Sequence, residues 1–481
     1  VVYVRADAAA GGDGERTAPF RTLADAIDAV PDGGAVAIAP GEYAPVFVDR
    51  DVALRGACAE VVLTSPDAEL PVLEFESSHA VVDNLRITGA ATAVSAQTST
   101  LELSRLIVDD VRGVAVSVVT STVEVRSIRF HDIPDTAIHV TNSSELMGGA
   151  IAVTGRLGSA VRSSGTTRLS DIVVAASGED PEVYVGSLGD DTVLERLAVM
   201  GDGTMQLLQG SSLTLRDSTL IGPPAQVAAF SSSILAFQGS HLTLERTSHR
   251  RVWTFAMAAA EAETTLVATD VVIRGEAEDA VYDAVEVGEG AHASLTRVQV
   301  EGVRSFGVLA TDPGTIVTAE DLAIHDTRPD TSSVYGRAIQ VQSGATMSGR
   351  RVRVVGNHEA AIVASVEASV TLEDLLVEDT MEQSCSGAGC VAGGIGMGVY
   401  LGGHITARNF RISNGALAGA QIALDGELDL SAGVVSDNPV GINIQVPDYD
   451  LNRLTDEVRF IDNGINLDSR ELPLPPPTRE L

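Results

Sequence analysis

The residues best equipped for chemistry gather in three short stretches. "SHRRVW" offers His249, Arg250, Arg251 and Trp253. Guanidinium forks take carboxylates through paired hydrogen bonds, and an indole face can stack on a sugar ring. "HDTRPDTSSVYGR" adds Arg328, Asp330, Tyr335 and Arg337 beside His325 and Asp326, and "GNHEA" adds His358 and Glu359. A polysaccharide lyase needs a base beside a carbon acidified by a neighbouring carboxylate, and an Arg or cation to neutralise that carboxylate. These residues could supply such parts. The competing reading is that they are solvated corner residues. "GxSxG" does not occur, so no serine-nucleophile elbow is legible.

Three cysteines are present. Cys385 and Cys390 lie in the Gly/Ser-rich run "SCSGAGC" and are a candidate disulfide, which would fit an oxidising compartment. Cys58 follows the strand-like run "DVALRGA" and is expected to be a buried, inert thiol. No further soft ligand lies close to the pair, so no zinc site is expected. No cofactor is called for. Asp326, Asp379, Asn414, Asp437 and Asp462 read as turn formers rather than as ligands for Ca2+.

Composition narrows the partners. The formal net charge is −34, and every basic residue is Arg, since Lys is absent. Such a surface repels nucleic acid and anionic membranes and favours a soluble monomer. No apolar run reaches the length of a transmembrane helix. The chain begins at Val1 without Met, which suggests a trimmed or mature product.

These residues must be held by something, and the sequence repeats one phrase to do it. "ASLTRVQVEG", "SVTLEDLLVED", "TTRLSDIVVAA", "SLTLRDSTLIG" and "HITARNFRISNG" share an apolar, polar, charged-or-Asn, apolar, any, apolar rhythm. The first apolar residue after the charged position recurs at Leu85, Leu106, Ile128, Ala150, Ile172, Leu197, Ser218, Thr247, Val271, Val298, Leu322, Val352, Leu375, Phe410, Gly433 and Val458. Alternation with β-branched residues predicts short strands with one buried face. Hydrophobic content of 44% with only 4% aromatics suits thin stacked layers. Four residues past most anchors stands Gly, Asp or Asn, the types that tolerate a left-handed turn. Such a repeat predicts an all-β parallel β-helix of about sixteen coils, since each coil contacts only its neighbours. "RTLADAIDAV" places Leu23, Ala26, Ile27 and Val30 on one face after a T-x-x-D start, predicting an N-terminal capping helix. The expected division is a cap and first strand at 1–45, the solenoid at 46–466 and a Pro-rich tail at 467–481. The longer repeats carry insertions after the exit turn, expected to wall one side.

The segment "PFRTLADAIDAVPDGGAVAIAPGEY" resembles the capping helix, first strand and turn of the right-handed parallel β-helix proteins of the pectin-lyase-like superfamily, in their bacterial secreted or cell-surface form. That family includes polysaccharide lyases, hydrolases, epimerases, esterases, adhesins and proteins without known activity, so the resemblance implies a fold and not one function. The Arg-x-Lys of polygalacturonase-like hydrolases is impossible without Lys, and "GGHI" at His404 is not their Gly-His-Gly. The epimerase-like Tyr-Gly-x-Asp-Pro-His stops after Tyr335 and Gly336. The acidic calcium site and Arg base of pectate-lyase-like members form too loose a pattern to place. The missing motifs lead to the expectation of a secreted or cell-surface protein, outer-membrane associated or periplasmic included. It would bind extracellular carbohydrate or a surface protein without catalysis. The alternatives are a lyase or hydrolase acting on an acidic polysaccharide, and a structural stalk.

Overall fold

The computed structural model describes residues 1–65, 70–141, 143–176, 191–201, 204–223, 233–251, 254–276, 283–330, 335–383 and 393–475. The chain is an all-β parallel β-solenoid of about 16 turns. It forms two compact units, Val1–Leu220 and Ile221–Leu481. Among the described residues, no helix is long and apolar enough to cross a membrane.

Unit 1 begins earlier than the expected solenoid boundary, because Val2–Val4 already pairs in parallel with Val36–Ile38. The α-helix Leu23–Ala29 caps it. Thr22 accepts from the Asp25 N–H at 3.1 Å, and Leu23, Ala26 and Ile27 are buried, as the T-x-x-D start and the apolar face require. Successive coils then stack in register, with Leu101 beside Ala80 and Val123 beside Leu101. The turns are closed by a stack of buried serines. Ser78 N donates to Ser99 Oγ (3.2 Å), Ser99 N to Ser121 Oγ (2.9 Å), and Ser121 N to Ser144 Oγ (3.3 Å). A buried N–H without a partner is costly, so each hydroxyl satisfies the coil before it.

In unit 2 the register follows the repeat. Val271 faces Val298, Leu322 faces Val352, Val352 faces Leu375, Leu375 faces Phe410, Phe410 faces Gly433, and Gly433 faces Val458. Even the weak anchor Gly433 holds its place, with the Phe410 ring filling the space a Cβ would need. One anchor in unit 1 is corrected: Ile151, not Ala150, pairs with Ile128. Ala150 instead takes the corner position, with φ 57°.

That corner is a feature the repeat carried unrecognised. The residue before each anchor lies in the left-handed region, with φ between 49° and 60° from Asn84 through Glu457. It is rarely glycine, so composition hid it; the exit turn, rich in Gly and Asp, drew attention instead. Left-handed backbone costs an ordinary side chain roughly 1 kcal/mol. Cross-coil pairing of these corner residues offsets part of that. Arg196 grips Asp171 in unit 1, and in unit 2 Arg297 grips Asp270 while Arg351 grips Asp321. The exit turn is left-handed too at Gly89, Gly302, Asp326, Gly356, Asp379, Asn414, Asp437 and Asp462, though not at Gly275.

Unit 2 carries a second parallel sheet whose strands include Asp283–Val287, Phe306–Ala310, Arg337–Val341, Ala360–Ser365, Ile395–Tyr400, Ala418–Ile422, Val440–Ile444 and Ile465–Asp468. The expected boundary at 466/467 therefore falls inside a strand. The chain beyond it folds back: Leu474 packs against the cluster of Ala360, Val363, Ile395, Tyr400 and Ala423.

Candidate functional site

In the second sheet of unit 2, the strands from Phe306–Ala310 to Val440–Ile444 are buried on both faces, while Asp283–Val287 leaves its outer residues half-buried. Ile339 and Val341 fill the interior, yet the first and fourth residues of this strand, Arg337 and Gln340, are buried as well. Arg337 Nη1 donates to Gln340 Oε1 at 2.7 Å, so both lie on the same, outer side. The same two positions in the neighbouring strands hold Phe306 and Leu309, and before them Asp283 and Glu286. A row of polar and aromatic groups thus runs across the outside of the sheet.

The row is connected. Asp283 accepts a hydrogen bond from the Phe306 N–H. The Phe306 and Tyr335 rings lie 5.0 Å apart, tilted by 37°, and the Arg337 guanidinium sits 5.1 Å from the Tyr335 ring centre. Arg337 Nε donates to Glu359 Oε2 at 2.5 Å, with both side chains almost wholly enclosed. Beyond them, the Tyr400 hydroxyl donates to Gln421 Oε1 at 2.8 Å. The amides of Gln421, Asn443 and Gln445 donate to the carbonyls of Pro473, Arg470 and Leu472. The folded-back segment therefore covers this end of the row with its own backbone.

Charge is distributed unevenly along it. Burial pushes the Asp283 carboxyl well above the usual carboxylate range, and the nearby Glu286 charge adds to this. Burial raises Glu286 too. Both are half-buried. At this end the sheet presents a carboxyl whose burial favours the protonated form, a second acid three residues on, and the half-buried Tyr335 ring over the buried Phe306. Proton donation from a half-buried acid near an aromatic ring is the chemistry this arrangement can perform.

The residues singled out in the sequence divide accordingly. Tyr335, Arg337 and Glu359 are brought together. His358 stands beside them, its Nδ1 3.0 Å from the Thr327 carbonyl, and Gly336 packs close to its Cβ. Arg328 is exposed and Asp330 half-buried on the same connection. Two expectations need correction. Arg337 and Glu359 are not surface residues: their side chains are 2% and 0% exposed and paired inside the fold. His249 is not on the surface: it is 1% exposed, stacked in the core beside Ile273, and both ring nitrogens lack hydrogen-bond partners among the described residues. Desolvation lowers its pKa to about 4. The repeat held the signal, since His249 stands two residues past the anchor Thr247, where Ile273, Val300 and Ile324 are all core. Arg250 is exposed and paired with Glu276 at 2.9 Å, while Arg251 occupies the left-handed exit corner with φ 53°. Trp253, Cys385 and Cys390 lie outside the described residues. Cys58 is half-buried at a turn rather than enclosed, with Sγ 3.9 Å from Glu60. Asp283 and Glu286 were missed because their segment "EAEDAVYDAVEV" reads as an acidic insertion.

A second feature lies on the first sheet of unit 2. A trough of about 370 Å³ is lined by Ser294, Thr318, Ser348 and Thr371 together with Glu320, Arg350 and Glu373.

No family model matches this chain, and no curated protein matches it. Solved structures do. The catalytic unit of a GH87 alpha-1,3-glucanase from Streptomyces thermodiastaticus is 17% identical with a TM-score of 0.36, covering 66% of this chain; this chain spans 61% of the glucanase. A mannuronic acid specific polysaccharide family 6 lyase from human gut microbiota is 10% identical with a TM-score of 0.32, over 90% of this chain and 86% of that one. A mannuronan C-5 epimerase A-module from Azotobacter vinelandii is 13% identical with a TM-score of 0.18, over 93% and 95%. All three are carbohydrate-active, and at these identities no residue role passes from them to this chain.

Proposed function

We propose that unit 2 binds a polysaccharide chain at the outer face of its second sheet and cleaves it by hydrolysis, in an extracellular setting. The observation that carries this reading is the acid pair Asp283 and Glu286 beside Phe306 and Tyr335. The half-buried Tyr335 ring, backed by the buried Phe306, offers a stacking surface for a sugar. Asp283, whose burial favours its protonated form, gives its proton to the glycosidic oxygen as the bond from that oxygen to the anomeric carbon breaks. Glu286 takes a proton from water, whose oxygen bonds to that carbon. A lyase fits less well, because Arg337 is already neutralised by Glu359 and is not available to a substrate carboxylate.

The test is incubation of the full chain with neutral and acidic polysaccharides, following reducing ends and the absorbance of unsaturated uronates together. Reducing ends without unsaturated product are expected. Asp283→Asn and Glu286→Gln should each lower the rate by about a hundredfold or more while glycan retention persists. Undiminished activity in both variants, or unsaturated product, would overturn the assignment. The hydroxyl trough favours a second reading, binding without catalysis. Silence on every substrate, with retention lost on Thr318→Val/Thr371→Val, would establish it.

A further inference from the structure

Unit 1 contains a cleft lined by three arginines. It measures about 300 Å³ and is lined by Arg5, Arg16 and Arg55 around Tyr3, with Ala37, Ala39 and Ala57 among the floor residues. The cleft exists because small side chains fall between large ones. Tyr3 pairs with Ala37, and Ala37 pairs with Arg55, so a single methyl separates a ring from a guanidinium across three adjacent strands.

The walls are held in place. Arg16 stands on a turn fixed by the Asp13 and Gly14 N–H groups donating to the Ala18 carbonyl, and Tyr3 N donates to the Gly14 carbonyl. The Tyr43 hydroxyl donates to the Ala39 carbonyl at 2.7 Å and accepts from the Ala6 N–H at 3.2 Å, tying the floor to the chain just past Arg5. Charge is left over. Arg5 pairs with Asp7 at 2.6 Å, but Arg16 and Arg55 form no ion pair among the described residues. The acid nearest to Arg55 in register, Asp83, is engaged by Ser104 and Arg105. In a chain of net charge −34, two unneutralised guanidiniums converging on one aromatic-walled cleft mark a site for an anion with a flat body.

We propose that this cleft binds a sugar acid, its ring against Tyr3 and its carboxylate across Arg16 and Arg55. The apolar alanine floor suits a ring face, and guanidinium forks suit a planar carboxylate better than they suit a hydroxyl. The site is separate from the acid pair of unit 2 and does not depend on it.

The experiment is titration of the full chain with glucuronate, and with glucose as the uncharged match, followed by calorimetry and ligand-observed NMR. Saturable binding of glucuronate and none of glucose is expected. Arg16→Gln/Arg55→Gln should weaken it by roughly tenfold or more, as should Ala37→Leu, which fills the floor from the outer face. The Asp283→Asn/Glu286→Gln variant should bind glucuronate unchanged. Equal binding of glucose, full affinity in Arg16→Gln/Arg55→Gln with its thermal midpoint retained, or loss in the Asp283→Asn/Glu286→Gln variant would each overturn the proposal.

Discussion

The serine stack of unit 1 and the outer row of the second sheet in unit 2 handle polar groups in opposite ways. In unit 1 the turns are closed by like on like: Ser78, Ser99, Ser121 and Ser144 repeat one hydroxyl, each satisfying the coil before it. In unit 2 the outer row of the second sheet changes from strand to strand: Asp283 and Glu286, then Phe306, then Arg337 and Gln340, and further on Tyr400 and Gln421. A repeated polar group is what stacking demands, because every coil poses the same unsatisfied N–H. A charged group that appears in one coil answers no such demand and must find an individual partner. Repetition in a solenoid marks architecture, and a break in the repetition inside a covered layer marks a candidate site.

The largest effect should come from leaving a buried charge without its partner. Glu359→Ala strands Arg337 and is expected to cost about 3–5 kcal/mol, read as a fall in the denaturant midpoint of unit 2. Arg337→Met/Glu359→Leu should restore most of it, since removing both charges removes the desolvation cost. A double variant as unstable as the single one would mean that the pair organises the row rather than merely occupying it.

His249 should come next. It is neutral in the core, with its pKa lowered from 6.5 to about 4. The unfolded chain therefore binds the proton first as pH falls. Stability present above pH 6.5 should decline by about 3 kcal/mol between there and pH 4. His249→Leu should flatten this dependence in equilibrium unfolding curves taken across that range. Asp283 carries the opposite sign. Its carboxyl is raised, so the folded state keeps a proton that the unfolded state releases, and stability falls as pH rises from 3.8 toward the folded value. Asp283→Asn should be more stable than the native chain at neutral pH while losing hydrolysis, which separates a functional acid from a structural one.

Smaller effects belong to the repeated elements. Ser99→Ala removes one acceptor from the serine stack and should cost about 1 kcal/mol, with faster amide hydrogen exchange at Ser78. The corner ladder of Asp and Arg is solvent-exposed, and its contribution is screened. Arg297→Ala should lower the thermal midpoint slightly in low salt and not measurably in high salt.

Much of this was legible in the repeat. The register of the first sheet in unit 2 follows the anchors residue by residue, and Thr22 caps the helix Leu23–Ala29 as its T-x-x-D signal requires. The same ladder also placed His249 inside, two residues past an anchor, although its neighbours Arg250 and Arg251 made it look like a surface residue. The site was less legible. Arg337 and Glu359 are 22 residues apart, and nothing local says that they meet or that they are covered.

By itself the sequence determined the period, the buried alternation, the turn chemistry and the acidic balance, because each coil repeats one local problem with one local answer. The tertiary structure alone decided which face of the second sheet is covered, and that Phe306 joins Asp283 to Tyr335. It also decided that three arginines from a strand end, a turn and another strand surround one cleft. Burial and proximity across coils depend on what lies above a residue, and the chain order of that residue's neighbours does not carry this information.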